Sequence, residues 1–165
     1  MTLAEGDPAA FSVQEVNLSD ILREVVRDCE LEAGQRGCHI EEDAPEDVLT
    51  LGDTELLQRA IENIIRNAIR YSPAGSLVET NIVVDEARTV LSVRDRGPGV
   101  PEDLLPKIFN PFFRVDESRD ASTGGIGLGL AIAQRAIRLH QGEIRAANAS
   151  PGLRISIVLQ KLPTG

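Results

Sequence analysis

Two glycine-rich turns are the features of this sequence best suited to chemistry. Residues 95–99 (Asp-Arg-Gly-Pro-Gly) follow an apolar, strand-like run, and residues 124–129 (Gly-Gly-Ile-Gly-Leu-Gly) lead directly into a helical pattern. A glycine-rich turn at a helix N-terminus exposes backbone N–H groups at the positive end of the helix dipole, which suits phosphate oxygens. For either turn alone, the alternative is that the glycines only permit a tight bend.

Two common classes of nucleotide site are excluded by the same residues. A P-loop needs Gly-Lys followed by Ser or Thr, but the only lysines are Lys107 and Lys161, and neither follows a glycine. The glycines are also never spaced as G-x-G-x-x-G, the dinucleotide fingerprint. A phosphate site in this chain must therefore be of another type.

A predicted helix over residues 53–71 supplies polar side chains of a matching kind. At about 100° per residue, one stripe beside its apolar face carries Asn63, Asn67, Arg70 and Tyr71. Asparagine inside a helix is intrinsically unfavourable by a few tenths of a kcal/mol. Its amide oxygen is nevertheless a hard ligand suited to Mg²⁺, which bridges phosphates. The two asparagines therefore indicate either a metal–phosphate site or a hydrogen-bonded surface pair.

The elements that must position these residues follow from hydrophobic periodicity and from Gly and Pro breaks. Helices are predicted over 17–33, 53–71 and 128–140, and strands over 38–42, 77–85, 89–95, 143–147 and 153–159. Residues 97–125 are predicted to be irregular, and a loop of that length is typical of a lid or binding loop. This order predicts an α+β two-layer sandwich, with a mostly antiparallel sheet under three helices.

Composition limits the function classes. Lys plus Arg number 17 and Asp plus Glu number 26, a formal charge of −9, and aromatic residues make up 3%. An acidic, aromatic-poor chain argues against a nucleic-acid surface. No apolar run approaches the ~18 residues of a membrane span. The first ten residues lack a signal-peptide pattern. We expect a leader or linker over residues 1–12 and a single domain over 13–162.

The cysteines and histidines suggest no site of their own. Cys29 and Cys38 are too few for a disulfide scaffold and, even with His39, too few for a zinc site. We expect both cysteines to be small buried hydrophobes in a reducing compartment. His140 ends the third predicted helix and is expected to be a capping or surface histidine.

Four segments resemble the boxes of bacterial sensor histidine kinases, in that family's order. Residues 62–72 (ENIIRNAIRYS) resemble the N box, and residues 95–99 resemble the first glycine box. Residues 108–114 (IFNPFFR) resemble the F box, and residues 125–130 (GIGLGL) the second glycine box. The resemblance covers about residues 14–161, and the N and F boxes look most like the envelope-stress Cpx type. It implies a catalytic and ATP-binding domain with the Bergerat fold, whose sheet is mixed and mostly antiparallel.

The resemblance also implies roles for individual residues. Asp95 would accept the adenine amino group, and Gly97 and Gly99 would lie at the base. Asn67 would ligate Mg²⁺ and serve catalysis, with Asn63 beside it on phosphate or a metal-bound water. Arg70 and Tyr71 would lie near phosphate and ribose. Arg114 and Arg119 would be lid cations that reach the γ-phosphate and serve catalysis. The residues implied around the phosphates are Gly125, Gly127, Leu128 and Gly129.

The ATP lid implied by the resemblance covers about residues 98–124. We expect it to be mobile and to order around the triphosphate. Phe109, Phe112 and Phe113 are a large apolar load for a free loop. Part of this cluster is therefore expected to pack on the sandwich edge or on dimerisation helices.

The resemblance further discriminates between mechanisms. Bergerat-fold ATPases and serine kinases carry a glutamate four residues before the metal asparagine, where it acts as general base. Here that position is Asn63, and Glu62 points about 100° away around the helix. Glu62 is therefore expected to be a solvated charge, which favours phosphotransfer to histidine over hydrolysis.

The acceptor histidine of such kinases lies on a dimerisation hairpin, which this sequence lacks. We therefore expect an excised catalytic domain that binds Mg-ATP but does not phosphorylate itself. Its expected partners are its own dimerisation domain and a response regulator, and its expected parent is a homodimeric inner-membrane sensor with this domain in the cytoplasm. The alternatives are a stand-alone Bergerat-fold serine kinase or ATPase, and a non-catalytic nucleotide-binding signalling module.

Overall fold

A computed structural model describes residues 11–113 and 128–160 of the chain. Three helices pack on one face of a five-stranded sheet. In chain order the elements are β1 (Gln14–Asn17), α1 (Leu18–Gln35), β2 (His39–Asp43), β3 (Leu49–Gly52), α2 (Thr54–Tyr71), β4 (Leu77–Val84), β5 (Arg88–Arg94), a 3₁₀ helix η1 (Glu102–Lys107), α3 (Gly129–Leu139), β6 (Glu143–Asn148) and β7 (Leu153–Gln160).

The main sheet has the strand order β2-β4-β5-β7-β6. β2 runs parallel to β4, and the other neighbouring strands are antiparallel. This arrangement confirms the predicted two-layer α+β sandwich with a mixed, mostly antiparallel sheet. β1 and β3 form a separate antiparallel pair that the sequence reading missed. Both strands have four residues, too short for alternation to stand out from a loop.

The helices begin and end where their capping chemistry places them. The side chain of Asn17 accepts hydrogen bonds from the first-turn amides of α1, and Asp53 accepts one from Leu56 N–H at the start of α2. Side-chain acceptors at these positions satisfy amides that have no partner inside the helix. At the other end of α2, the hydroxyl of Ser72 donates to the carbonyl of Ala68.

The core lies between the helices and the sheet. The apolar face predicted for α2 is buried, with Leu57, Ile61, Ile64, Ile65 and Ala68 all at most 3% exposed. Cys29 and Cys38 are free and buried, as expected. Burial raises the pKa of the Cys29 thiol to about 11, so this side chain behaves as a small hydrophobe. Within the described ranges, none of the helices is long and apolar enough to cross a membrane.

The prediction that residues 97–125 are wholly irregular is wrong for their first part. Residues Glu102–Lys107 form η1, and Ile108 and Phe109 directly after it are 7% and 8% exposed. Leu105 also packs against the core. Burial of these apolar side chains holds the segment against the sandwich. The four prolines between residues 97 and 125 hide this apolar pattern in the sequence.

Candidate functional site

The polar residues of α2 lie on one side of the helix and keep access to solvent. Asn63, Asn67, Arg70 and Tyr71 are all half-buried, beside the fully buried face that contacts the sheet. Their amide, guanidinium and phenol groups therefore lie beside the core and remain partly accessible to solvent. This is the placement that the spacing predicts for a polar ligand held against α2.

Gly129, the last glycine of the second glycine-rich motif, lies against Asn63 of α2. Gly129 begins α3, and a Cβ added there would lie 3.4 Å from Asn63 Oδ1. The N-cap residue of α3 is Leu128, whose side chain makes no capping hydrogen bond, and the first turn of α3 has no acidic residue. Among the residues that the structure describes, no side chain caps the first-turn amides of α3, and the positive end of the helix dipole there suits an anion beside Asn63.

The first glycine turn meets α2 at its C-terminal end. A Cβ added at Gly97 would collide with the carbonyl oxygen of Tyr71, so only glycine allows this approach. From Tyr71 back to Asn63 the helix rises about 12 Å. Gly97 and Gly129 therefore pack on the same helix, one at each end of its polar side.

Asp95 is the buried charge of this region. It follows β5 and is 3% exposed. Its Oδ1 accepts hydrogen bonds from the N–H groups of Gly97 at 2.8 Å and Leu153 at 3.3 Å. Burial raises the pKa of this carboxyl, and the two N–H donors oppose that shift. In the part of the chain that the structure describes, both bonds go to Oδ1, so Oδ2 keeps its acceptor capacity.

Gly99 is also constrained, but by a neighbour that the sequence reading did not single out. Its φ is +75°, and a Cβ there would lie 2.7 Å from Oδ1 of Asn148. The space in front of Gly99 is therefore taken by an asparagine amide, and a contact of Gly99 with a base stays a prediction. Sequence alone offers no signal for Asn148, because it is a single polar residue at the end of a strand.

The F-box aromatics divide between core and solvent. Phe109 is buried and Phe113 packs partly against the core, which confirms that part of this cluster lies on the sandwich. Phe112 is 69% exposed, with a φ of +67°.

The remaining predicted site residues lie outside the described residues. These are Arg114, Arg119, Gly125 and Gly127, and their roles stay predictions, as does the lid beyond residue 113.

Glu62 is occupied on another side of α2. Its carboxylate pairs with Arg66, the Oε2–Nη1 distance being 2.7 Å, and Arg66 also pairs with Glu32 of α1. The side chain of Glu62 is 32% exposed. This placement agrees with the prediction that Glu62 is a solvated charge. An ion-paired carboxylate on that side of α2 is a poor candidate for a general base.

His140 is likewise engaged at both ring nitrogens. Nδ1–H donates to the carbonyl of Ala136 at 2.7 Å, and Nε2 accepts from the N–H of Asp53 at 3.0 Å. The ring also fills the space beside Gly52, where a Cβ would meet it. His140 is the C-cap residue of α3, as the capping prediction had it, and in addition it joins α3 to the start of α2.

Comparison with known proteins agrees with this geometry. Residues 52–163 match the family described as histidine kinase-, DNA gyrase B-, and HSP90-like ATPases, and the chain belongs to that family. The sensor histidine kinase CpxA of Escherichia coli K12 is 39% identical over 153 residues, which cover 91% of this chain and 33% of CpxA. The chain thus spans about a third of the length of this curated relative. The resemblance to sensor histidine kinases is confirmed.

Solved structures give the same result for the fold. A mycobacterial sensor histidine kinase, MprB, superposes with a TM-score of 0.80 at 28% identity, covering 93% of this chain and all of that one. Full-length ShkA in complex with AMPPNP also gives a TM-score of 0.80, at 25% identity, covering 94% of this chain and 33% of ShkA.

Proposed function

We propose that this chain is the ATP-binding catalytic part of a sensor histidine kinase, which binds Mg-ATP and presents the γ-phosphate to a histidine on a dimerisation domain. The observation that carries the proposal is that a glycine from each glycine-rich motif packs on α2, Gly97 at Tyr71 and Gly129 at Asn63. Family membership and the AMPPNP complex of ShkA support the choice of an adenine nucleotide.

The base end of the proposed site is Asp95. Its Oδ2 is available to accept from the adenine amino group, while Oδ1 is held by two backbone amides. An acceptor-only carboxylate favours a base that offers an amino donor and disfavours one that offers a carbonyl there. This arrangement selects adenine over guanine.

The phosphate end of the proposed site lies between Asn63 and the N-terminus of α3. The backbone amides at Leu128 and Gly129 would receive phosphate oxygens, and Arg70 adds a cation on the same side of α2. A basic residue and a helix N-terminus give a local attraction for a polyanion on a chain whose net charge is −9. Arg114 and Arg119 are proposed to add cations at the γ-phosphate.

The residues present fit a magnesium ion only together with a nucleotide. Among the residues that the structure describes, no three His, Cys, Asp or Glu side chains are grouped to hold a metal. A single amide such as Asn67 suits an ion that takes its other ligands from phosphates and water. Such an ion would supply positive charge against the phosphates. Asn67 is therefore the proposed protein ligand.

The proposed acceptor is a histidine outside this sequence. Both ring nitrogens of His140 are hydrogen-bonded. Glu62 would be the candidate to activate water or a serine hydroxyl, and its carboxylate is ion-paired with Arg66. We further propose that the longer protein is a homodimeric inner-membrane sensor with this domain in the cytoplasm, and that it passes the phosphoryl group to a response regulator. The names of its relatives as sensor kinases support this part.

Calorimetric titration tests the nucleotide site. The wild-type chain should bind ATP and ADP, bind GTP at least tenfold more weakly, and bind ATP more tightly with Mg²⁺ than with a chelator. Asn67→Ala should abolish the strengthening by Mg²⁺ and leave the fold intact, because Asn67 is half-buried on the polar side of α2. The matched control is Gln58→Ala, a half-buried polar residue on a different side of α2. Equal ATP affinity in wild type and Asn67→Ala at every Mg²⁺ concentration would refute the metal assignment.

A further inference from the structure

Both polar atoms of the Asn148 side-chain amide are hydrogen-bonded to one short segment, residues 100–102. It is the last residue of β6, and its Oδ1 accepts from the N–H of Val100 at 2.8 Å. Its Nδ2 donates to the carbonyl of Val100 at 2.6 Å and to Oε2 of Glu102 at 3.0 Å. Both donors and one acceptor are thus satisfied, and the amide pairs with Val100 as a neighbouring strand would.

This pairing depends on the glycine before Val100. Gly99 has φ +75°, and a Cβ there would lie 2.7 Å from Asn148 Oδ1 and 3.3 Å from the carbonyl oxygen of Gly152. Any larger residue would push the amide away. Gly99 and Asn148 therefore form one structural unit.

The other end of the same segment is held by the same hairpin. The N–H of Asp95 donates to the carbonyl of Leu153 at 3.0 Å, and the N–H of Leu153 donates to Asp95 Oδ1. Leu153 begins β7, and the turn that joins it to β6 is closed by a hydrogen bond from Ala149 N–H to Gly152 O. The β6–β7 hairpin thus holds residues 95–100 at both ends.

We propose that Asn148 is a positioning residue for nucleotide binding, which holds the end of the segment 95–100 and the start of η1 so that Asp95 is in place for the base. It acts through Val100 and Glu102 and does not itself touch the nucleotide. The proposal rests on the proposed function. A segment that is ordered before binding loses less entropy when the ligand arrives, so fixing it raises affinity.

Asn148 acts at the proposed adenine end of the site, so the effect of its removal on affinity can be distinguished from the loss of a phosphate contact. Asn148→Ala should weaken binding of both ADP and ATP by about tenfold, since it removes three hydrogen bonds from an ordered segment. The factor should be the same with Mg²⁺ and with a chelator. Hydrogen exchange at the Val100 amide should accelerate in this variant, while the amides of Ile155 and Ile157 in β7 keep their protection.

Exchanging the amide and the carboxylate between positions 148 and 102 provides the rescue. Asn148→Asp keeps an acceptor for Val100 N–H but loses both donors and places a carboxylate beside Glu102. It should therefore bind ADP more weakly than wild type. Adding Glu102→Gln supplies an amide donor to the new carboxylate and should recover part of the lost affinity. A side chain that merely stabilises the fold would change the free energy of unfolding in urea and leave the ADP affinity of the folded protein unchanged in all three variants.

The matched control is Asn81→Ala, the same substitution on β4 of the same sheet, which should leave ADP affinity unchanged. If wild type binds no nucleotide, both the proposed function and this inference fall. If wild type binds and Asn148→Ala binds equally well, only the positioning role is overturned. The role is also overturned if the affinity loss follows a global loss of stability in urea and Asn148→Asp/Glu102→Gln recovers nothing.

Discussion

Asp95 is a carboxylate whose ionised form is costly in the free protein. Burial raises its pKa, and Arg94 and two backbone amides oppose the shift without cancelling it. Folded Asp95 holds its proton more tightly than unfolded Asp95 does. Its contribution to stability is therefore present below the ordinary value of 3.8 and is lost as the pH rises through the raised folded value. At neutral pH the fold therefore carries the cost of a buried, ionised carboxylate, which is the form that the proposed role at the adenine amino group requires.

Asp95→Asn should separate stability from binding. The new amide keeps an oxygen for the N–H groups of Gly97 and Leu153 and removes the buried charge, so the free energy of unfolding at pH 7 should rise by about 1 kcal/mol. Adenine nucleotide affinity should fall at least about tenfold, because the amide presents N–H donors to an amino group. Urea unfolding and calorimetry measure the two effects.

The stability gain from Asp95→Asn should shrink as the pH is lowered from 7 through the raised pKa of folded Asp95. A gain that does not shrink as the pH falls to the ordinary value of 3.8 would contradict the assignment of the cost to an ionised Asp95. Unchanged ATP affinity would contradict its role at the base.

At the scale of elements, η1 and the residues after it divide the predicted lid. Leu104 N–H donates to Pro101 O and Asn110 N–H to Lys107 O, and Ile108 and Phe109 are buried. The first part of the predicted lid is therefore fixed to the sandwich. Movement upon nucleotide binding is expected only beyond Phe113.

Amide exchange with and without Mg-ATP tests this division. Peptides over residues 102–110 should show the same protection in both states, because their hydrogen bonds and burial do not involve the ligand. Peptides over residues 114–124 should gain protection when Mg-ATP binds, since lid cations are expected to close on the triphosphate. Equal protection of residues 114–124 in both states would contradict the lid hypothesis.

The elements that could be predicted from sequence are those with long periodic patterns. α2 was predicted almost to the residue, because Leu57, Ile61, Ile64 and Ile65 repeat at helical spacing between Asp53 and Ser72. The sheet strands beyond residue 77 were predicted equally well. The pair β1–β3 is missed because strands of four residues give too few repeats, and η1 is missed because prolines interrupt its apolar pattern.

The site divides in the same way. Asp95 and the asparagines of α2 could be predicted because each lies in a motif of several residues. The restraints on them come from distant parts of the chain, Leu153 and Asn148 on Asp95–Val100 and His140 on the start of α2. Such pairings depend on sheet register and helix packing, which no local pattern specifies.

At the scale of the whole molecule, the proposed reaction needs two separate bodies. Within this sequence, His39 lies exposed on the edge strand β2, and His140 is hydrogen-bonded at both nitrogens. Positioning ATP supplies only half of an in-line transfer, because the nucleophile must also be held against the γ-phosphate. The chain alone should therefore bind ATP without labelling itself.

Incubation with γ-labelled ATP checks this. Acid-labile label should appear only on a separately added dimerisation hairpin that carries its histidine, and weakly, because the effective concentration of a tether is lost. The Asn67→Ala chain with the same hairpin is the control and should give no label. Label on His39 or His140 of the chain alone would contradict the proposed division of roles.

The position of β7 has a consequence for how this domain is made. β7 lies between β5 and β6 in the sheet, although it is the last strand along the described chain. On the ribosome, residues 153–160 emerge after every other described element, and until then β5 has a free, hydrogen-bonding edge. During this time the N–H group of Leu153 is not available to Asp95, so the proposed adenine end of the site is incomplete. Bound nucleotide therefore cannot stabilise the nascent chain. The unfinished domain is therefore exposed to aggregation and to chaperones until its final strand is released.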